Sequence, residues 1–176
     1  QGSRSFDDCR WTRGQRGISL GQLHLIFMRL FCILTSLIIS HFTALAGEGW
    51  IEDFEKAKKI AAKEERLILM DFTGSDWCQP CKLLHKKYYD TDKFKAFAKE
   101  KLVLVTLDFP VGGNQSAERK AANEKLSKEL KVKGFPTTIM VDAKGKELFR
   151  ELGLPSVDLE GFIGRLENLV TKHPGK

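Results

Sequence analysis

The chain has 176 residues, of which 42% are hydrophobic and 30% are charged, and its formal net charge is +6. Of its 29 basic and 23 acidic residues, five and two lie in residues 1–46, which leaves 24 basic and 21 acidic residues in the remainder. The net charge of this remainder is +3, and its basic residues are interspersed with acidic ones. This distribution excludes the strongly basic surface that binds nucleic acid. The remaining length of about 130 residues suits one domain with a single core.

The N-terminal part of the chain has the pattern of a secretory signal peptide. Met28 and Arg29 precede an apolar run over residues 30–39, and Ala44 and Ala46 then form a small-x-small site. A short basic region, an apolar core and a small-residue cleavage site are typical of a signal that is removed during export. An uncleaved membrane anchor is the main alternative, although the run is short for a span of ~20 residues. A buried helix of the fold is a third interpretation.

These patterns divide the chain into three predicted segments. We expect an upstream leader or a mis-assigned start over residues 1–27, a signal peptide over 28–46, and one domain over 47–176. Cleavage between the second and third segments would make the domain periplasmic or secreted, whereas an anchor would hold it on the membrane, facing the periplasm. Cleavage also removes Cys9 and Cys32, so the domain keeps one pair of cysteines.

Helix and strand patterns alternate along the domain. Apolar residues at helical spacing predict helices, and short apolar runs predict strands. In chain order, we expect a helix at 50–65, a strand at 67–72, a helix with Pro80 in its first turn that runs to 89, a short helix carrying Phe94 and Phe97, a strand at 102–109, a helix at 117–130, strands at 137–141 and 147–150, and a last helix after Ser156.

Capping residues are predicted at three of the helix starts. Ser75 or Asp76 precedes the second helix, Thr91 precedes the third and Ser156 precedes the last. Side chains of these types accept hydrogen bonds from the free N–H groups of a first turn. In the helix at 117–130, the residues expected to face the core are Ala122, Leu126 and Leu130.

Cys78 and Cys81 form a Cys-x-x-Cys motif at the predicted start of a helix, soon after the strand at 67–72. Sulfurs at this spacing lie on one turn, where they can open and close a disulfide. The helix N-terminus stabilises a thiolate, which is the reacting form of cysteine. A strand that leads into such a helix indicates a thiol–disulfide oxidoreductase, whereas a purely structural bridge this short would constrain little of the unfolded chain.

The element order and these motifs resemble the thioredoxin fold over almost the whole domain. The resemblance rests on Asp71 in the first strand, on the turn Gly134-Phe135-Pro136-Thr137 and on the run Trp77-Cys78-Gln79-Pro80-Cys81-Lys82. The stretch before the cysteines is similar to that of secreted bacterial thioredoxin-like proteins with an extra N-terminal helix. The resemblance implies an α/β fold in which helices flank a central four-stranded mixed sheet.

The resemblance also implies roles for three residues of the site. Cys78 would be the nucleophile and Cys81 the resolving thiol. Asp71 would assist proton transfer to or from Cys81, and the alternative for Asp71 is a partly solvated carboxylate at the end of a strand.

Three further residues are expected to contact the substrate. The resemblance implies a cis peptide bond before Pro136, and a substrate chain that pairs with the adjacent backbone as an added strand. Phe135 precedes this bond, and Trp77 flanks the cysteines.

The expected function is that of an extracytoplasmic thiol–disulfide oxidoreductase. It would be a monomer that reduces disulfide-containing protein substrates with electrons from a membrane donor. A disulfide isomerase or oxidant is the alternative within redox chemistry, and a non-enzymatic thioredoxin-fold protein that binds copper or client proteins is the alternative from another class. Gln79 and Pro80 place no cation beside the sulfurs, which favours the reducing direction.

Neither a resident metal nor a cofactor is expected. His85 lies one turn beyond Cys81 and could complete a Cys-x2-Cys-x3-His set, but structural zinc sites normally use four protein ligands. A Cu(I) ion on the two thiolates is the other metal site that the chemistry allows.

Overall fold

The computed structural model describes residues 49–113 and 115–174. The predicted leader at 1–27 and the predicted signal peptide at 28–46 lie outside the described residues. None of the helices in the described part of the chain has the length and apolar character that a membrane span needs.

The described residues contain every helix and strand predicted for the domain, with bounds that differ by a few residues. In chain order these are α1 (Phe54–Glu64), β1 (Leu67–Thr73), α2 (Gln79–Leu84), a π-helix (His85–Tyr89), α3 (Asp92–Lys101), β2 (Leu102–Asp108), α4 (Ala117–Glu129), β3 (Thr137–Val141), β4 (Glu147–Leu152) and α5 (Leu159–Lys172). The helix predicted to reach residue 89 therefore changes from α-helical to π-helical winding at His85.

The four strands form one mixed sheet in the order β2–β1–β3–β4. β1 pairs in parallel with β2 and antiparallel with β3, and β3 pairs antiparallel with β4. All seven residues of the central strand β1 are buried, as its mostly apolar sequence predicts, and these include the polar Asp71 and Thr73. The predicted four-stranded mixed sheet, flanked by helices and preceded by an extra helix, is confirmed.

Side chains alternate along β1 and so divide the core between the two faces of the sheet. Leu67 and Leu69 pack with residues of α2, the π-helix, α3 and α5 on one face. Ile68 and Met70 pack on the other face with residues of α1 and, at the edge, α4. By the same alternation, Asp71 lies on the first face, on the side of the helix that begins at the cysteines.

One of the three predicted caps is confirmed, and the other two are wrong. The Thr91 side chain caps α3. Asp158 caps α5, because the helix begins at residue 159 and Ser156 lies too far from it. Cys78 itself caps α2. The two predicted caps bond elsewhere: Ser75 donates to Asp108 at the end of β2, and Asp76 accepts from the Gly112 N–H in the loop after β2.

The predicted inner face of α4 is partly wrong. Ala122 is exposed, and Asn123 is buried instead. The Asn123 amide turns inward because its Nδ2 donates to the Asp108 carbonyl at 2.9 Å. Two of the predicted residues do pack against the core, Leu126 and Leu130.

Candidate active site

Cys78 and Cys81 form a disulfide at the N-terminus of α2, with their Cα atoms 5.3 Å apart. The Cys78 sulfur caps the helix by accepting a hydrogen bond from the Cys81 N–H at 3.2 Å. It therefore lies at the positive end of the helix dipole, where a thiolate is stabilised once the disulfide is reduced. Pro80 occupies the first turn, where its missing N–H costs no intrahelical bond.

Trp77 supplies exposed surface beside the disulfide. In this oxidised form Cys78 and Cys81 are only 3% and 1% exposed, whereas Trp77 is 46% exposed. The indole Nε1 donates to the Phe109 carbonyl at 2.9 Å, and the indole ring meets the Phe135 ring edge-on, with centroids 5.8 Å apart. Trp77 thus connects the cysteine loop to the turn that precedes β3.

The peptide bond between Phe135 and Pro136 is cis, as the resemblance implies. Two hydrogen bonds hold this turn: the Thr137 hydroxyl donates to the Gly134 carbonyl at 2.7 Å, and the Gly153 N–H donates to the Pro136 carbonyl at 2.8 Å. Within the described residues, the backbone N–H and carbonyl of Phe135 bond to no other backbone group. An added chain could therefore pair with them.

The loop after β2 is fixed against the cysteine loop by two carboxylates. Asp76 accepts hydrogen bonds from the Gly112 N–H at 2.7 Å and from the Val111 N–H at 3.0 Å. These bonds, the Gly112 bond above all, lower the pKa of Asp76. Asp108 accepts from both the N–H and the hydroxyl of Ser75, at 2.8 and 2.6 Å. The loop therefore presents Val111, which is 83% exposed, near the disulfide.

Asp71 is completely buried, so the alternative of a partly solvated carboxylate is wrong. Its Oδ2 lies 2.7 Å from His85 Nε2, and its Oδ1 has no hydrogen-bond partner among the described residues. His85 begins the π-helix, and its backbone N–H donates to the Cys81 carbonyl. The pair therefore connects the buried carboxylate of β1 to the helix turn that carries Cys81.

The sequence patterns did not predict that His85 is the partner of Asp71. They indicated His85 only as a candidate metal ligand, yet among the described residues no three His, Cys, Asp or Glu side chains are grouped to hold a metal ion. Two signals could have found the pair. Residues four apart lie on one helix face, as Cys81 and His85 do, and a carboxylate buried on the facing strand requires a donor.

The pKa values of Asp71 and His85 are both raised in the folded protein. Burial raises the pKa of Asp71 above 3.8, against the lowering effects of the His85 hydrogen bond and charge. Burial alone lowers the pKa of His85, but the hydrogen bond with Asp71 and the charges of Asp71 and Asp90 outweigh it and raise that pKa above 6.5. Both shifts favour the protonated form of the group concerned.

Comparison with known proteins places the chain among thioredoxin-like proteins. The family model of a thioredoxin-like domain matches residues 54–166. Over 107 residues, the chain is 36% identical to the disulfide bond reductase DsbH of Chlamydia pneumoniae, with 61% of this chain and 64% of that protein covered. Over 115 residues, it is 29% identical to the thiol:disulfide interchange protein DsbD of Actinobacillus pleuropneumoniae, with 65% of this chain and 18% of that protein covered.

A solved structure agrees with these matches. A DsbH oxidoreductase superposes with a TM-score of 0.64 at 29% identity, and the superposition covers 70% of this chain and 84% of that chain. The chain thus spans less than two thirds of the length of either curated relative. Because the family model covers both cysteines, the cis turn and all four strands, the chain belongs to the family of thioredoxin-like domain proteins.

Proposed function

We propose that the protein is an extracytoplasmic thiol–disulfide oxidoreductase that reduces disulfide bonds in other proteins. The observation that carries this proposal is the Cys78–Cys81 disulfide at a helix N-terminus of a thioredoxin-like fold. Two similar proteins are named for the same chemistry, one as a disulfide bond reductase and one as a thiol:disulfide interchange protein.

In the proposed reaction, the Cys78 thiolate attacks one sulfur of a substrate disulfide. A mixed disulfide forms, and the other substrate sulfur leaves as a thiolate that takes up a proton. The Cys81 thiol loses its proton and attacks the Cys78 sulfur, which closes the Cys78–Cys81 disulfide and releases the second substrate sulfur. The substrate gains two electrons and the protein loses two, and a dithiol donor at the membrane returns them.

The two sulfurs differ in position, and this difference assigns their roles. Cys78 is the helix cap and follows the exposed Trp77, whereas Cys81 lies inside the first turn. The helix dipole stabilises charge best at the terminus and weakens within the first turn. Cys78 is therefore the nucleophile and Cys81 the resolving thiol in this proposal.

Exposed apolar residues around the site support a binding surface for the substrate protein. Trp77, Val111 and Leu152 are 46%, 83% and 62% exposed. Leu152 lies close to the cis turn, since a Cβ at position 134 would be 3.5 Å from its Cδ1. We place an extended segment of the substrate along Phe135 and Pro136, where it pairs with the Phe135 backbone and covers Trp77.

Serine substitutions test the function and both roles together. The experiment uses the full chain with Cys9 and Cys32 replaced by serine, so that only Cys78 and Cys81 react. Reduction of a protein disulfide such as insulin is followed with excess reductant. The parent should turn over, and Cys78→Ser should be inactive. Cys81→Ser should lose turnover and accumulate a mixed disulfide with the substrate on Cys78, detected by mass spectrometry.

Two results would contradict the proposal. A parent chain that closes its own disulfide but reduces no protein substrate would not be a reductase. A mixed disulfide that accumulates on Cys81 in the Cys78→Ser variant, with none on Cys78 in Cys81→Ser, would reverse the assigned roles.

The proposed extracytoplasmic location predicts a defined N-terminus. Cleavage after Ala46 leaves Gly47 as the first residue of the exported protein. N-terminal sequencing of protein from the periplasm or the medium should read Gly47 first. An exported form that still begins at or before Met28 would favour the membrane-anchor alternative instead.

A further inference from the structure

The carboxylate of Asp71 is buried with an incomplete set of hydrogen bonds. It is 0% exposed, and only Oδ2 has a partner in the described structure, which is His85 Nε2 at 2.7 Å. Oδ1 has none. A buried carboxylate oxygen without a partner is costly, and Oδ1 is therefore available to accept a proton.

In the described part of the chain, the Asp71 side chain has one hydrogen-bond partner, His85, and this partner reaches solvent. Its side chain is 29% exposed. The imidazole packs against two aromatic rings, with centroid distances of 5.7 Å to Trp50 and 5.2 Å to Tyr89. These contacts hold the ring with Nε2 toward Asp71, while Nδ1 lies 3.9 Å from Asp90, which is largely exposed.

Cys81 lies on the same helix face, one turn before His85. It is 1% exposed, so a proton that leaves or reaches its sulfur has little direct access to water. The His85 N–H donates to the Cys81 carbonyl, which ties the two residues together across that turn. The alternation along β1 places the Asp71 side chain on the face that α2 covers.

Several other ionisable groups act on this pair. Asp108 raises the pKa of Asp71 and Asp90 raises that of His85. Tyr89 is buried, its hydroxyl pairs with Thr138 at 2.6 Å, and its pKa is raised well above 10.0, chiefly by burial. Tyr89 therefore stays neutral at physiological pH, and His85 is the group of this cluster that can exchange a proton with solvent near neutrality.

We propose that His85 is a positioning residue that orients Asp71 and carries its proton to and from solvent, and so controls the step in which Cys81 closes the disulfide. This inference rests on the proposed thiol–disulfide exchange. It adds to that exchange a specific route for the proton, from Cys81 through Asp71 and His85 to water.

The closing reaction moves one proton and exchanges one disulfide bond for another. The Cys81 thiol gives its proton to the Asp71 carboxylate, and the Cys81 sulfur attacks the Cys78 sulfur of the mixed disulfide. The bond between Cys78 and the substrate sulfur breaks, and the substrate leaves as a thiolate. The proton on Asp71 passes across the 2.7 Å hydrogen bond to His85 Nε2, and Nδ1 releases a proton to water.

A two-phase assay separates this step from the first attack. The full chain with Cys9 and Cys32 replaced by serine is reduced and mixed with dithiobis-nitrobenzoate in a stopped-flow instrument. Cys78 attack releases one coloured thiolate, and closure by Cys81 releases the second. His85→Gln keeps a hydrogen-bond donor but cannot take up a proton. It should slow the second phase by about tenfold or more, because proton transfer by positioned groups contributes at least that much.

The pH dependence is the readout that a purely structural role would not change. In the parent, the second phase should follow the protonation of His85 near neutral pH, and His85→Gln should remove that dependence while leaving the first phase within about twofold. Asp71→Asn should slow the same phase, and combining it with His85→Gln should add little. His173→Gln, at an exposed histidine that follows α5, is the matched control and should change neither phase.

The outcomes separate the two proposals. If the parent shows no second phase, the proposed exchange itself fails. If the parent shows both phases and His85→Gln keeps the parent's second-phase rate and pH profile, or slows both phases equally, the proton route is wrong.

A measurement on the parent chain covers the case in which the variants do not fold. NMR titration of the His85 ring should give different midpoints in the oxidised and dithiol forms, because the Cys81 proton is coupled to the pair. Identical midpoints in the two forms would overturn the inference.

Discussion

At the scale of single residues, Gly74 determines where Trp77 can lie. A Cβ at position 74 would come within 2.7 Å of the indole atoms Nε1 and Cζ2, which is closer than side chains pack. The indole can therefore cover the backbone at residue 74, and from there it reaches the Phe109 carbonyl and the Phe135 ring.

Gly74→Ala should displace Trp77 and destabilise the fold. Overpacking of this kind costs about 1–3 kcal/mol, so the midpoint of urea unfolding should fall and Trp77 fluorescence should shift. Gly164→Ala is the matched control, because position 164 lies in α5 with nothing within 4 Å of a new Cβ. That change should stabilise the protein by about 0.5–1 kcal/mol. Equal effects of the two changes would show that Gly74 has no special role.

Individual residues also determine how strongly the Cys78 thiolate is stabilised. The described contacts that stabilise its sulfur are the helix terminus and the Cys81 N–H at 3.2 Å. The Lys82 ammonium donates to the Asp76 carbonyl at 2.9 Å and has no described hydrogen bond to that sulfur. Gln79 and Pro80 carry no charge. We therefore expect the dithiol form to be stabilised only moderately, which favours the proposed reducing direction.

The redox potential should accordingly lie nearer about −270 mV than about −120 mV. Equilibration with glutathione or dithiothreitol buffers measures it. Gln79→His places a cation beside the sulfur and should move the potential by about 30 mV or more toward less negative values, whereas Lys82→Gln should leave it nearly unchanged. A parent potential less negative than about −180 mV, typical of a disulfide isomerase, would contradict the reducing direction.

At the scale of elements, the loop after β2 depends on Asp76. This carboxylate binds two consecutive N–H groups of the loop, at Val111 and Gly112. Two further hydrogen bonds hold the ends of the loop. The Trp77 indole N–H donates to the Phe109 carbonyl, and the Gln115 side-chain amide donates to the Asp108 carbonyl. The loop is therefore held as one unit against the cysteine loop, and we expect it to form a wall of the substrate site.

Asp76→Ala should release this loop without unfolding the domain. Amide hydrogen exchange at Val111 and Gly112 should become faster, and turnover of a protein substrate should fall while closure with dithiobis-nitrobenzoate stays unchanged, since the small reagent needs no wall. Asp142→Ala is the matched control, because Asp142 accepts two N–H bonds of the same kind in the β3–β4 turn, from Lys144 and Lys146. If both variants reduce protein turnover equally, the loop has no specific role.

The elements could be predicted from the sequence where one signal dominated. β1 is mostly apolar and central, and the helix predicted after Ser156 packs its apolar residues into the core. The caps at the second and last helices could not be predicted. Several polar residues precede each helix, and the choice among them depends on distant partners such as Asp108 for Ser75. Asn123 was missed for the same reason, since its amide bonds to a carbonyl of β2.

At the scale of the whole molecule, the sheet brings the parts of the site together from distant segments. Asp71 comes from β1, the cysteines and His85 from the following helix, and Phe135 and Pro136 from the turn before β3. The cysteine motif is local and could be read from the sequence, and the resemblance implied the cis turn and a role for Asp71. The Asp71–His85 pair was not predicted, because it forms only when the helix that carries His85 packs on the sheet.

The same pair should make the stability of the whole chain depend on pH. The pKa of His85 is raised above its usual 6.5 in the folded protein, by Asp71 and Asp90 against the opposing effect of burial. A group whose pKa is higher in the folded protein stabilises the fold fully at pH values below its pKa in the unfolded chain. That stabilisation is lost as the pH rises through its pKa in the folded protein. Burial raises the pKa of Asp71 as well. Titration of Asp71 therefore also lowers the stability of the fold as pH rises, starting from the ordinary aspartate pKa of 3.8.

The free energy of unfolding of the oxidised chain should therefore decrease from about pH 6 to about pH 8. Urea denaturation at a series of pH values measures this slope. His85→Gln should flatten it, because glutamine does not titrate, while His173→Gln should leave it as in the parent. A parent whose stability rises with pH across this window, or a His85→Gln variant that keeps the parent's slope, would show that the pair is not protonated in the way its contacts require.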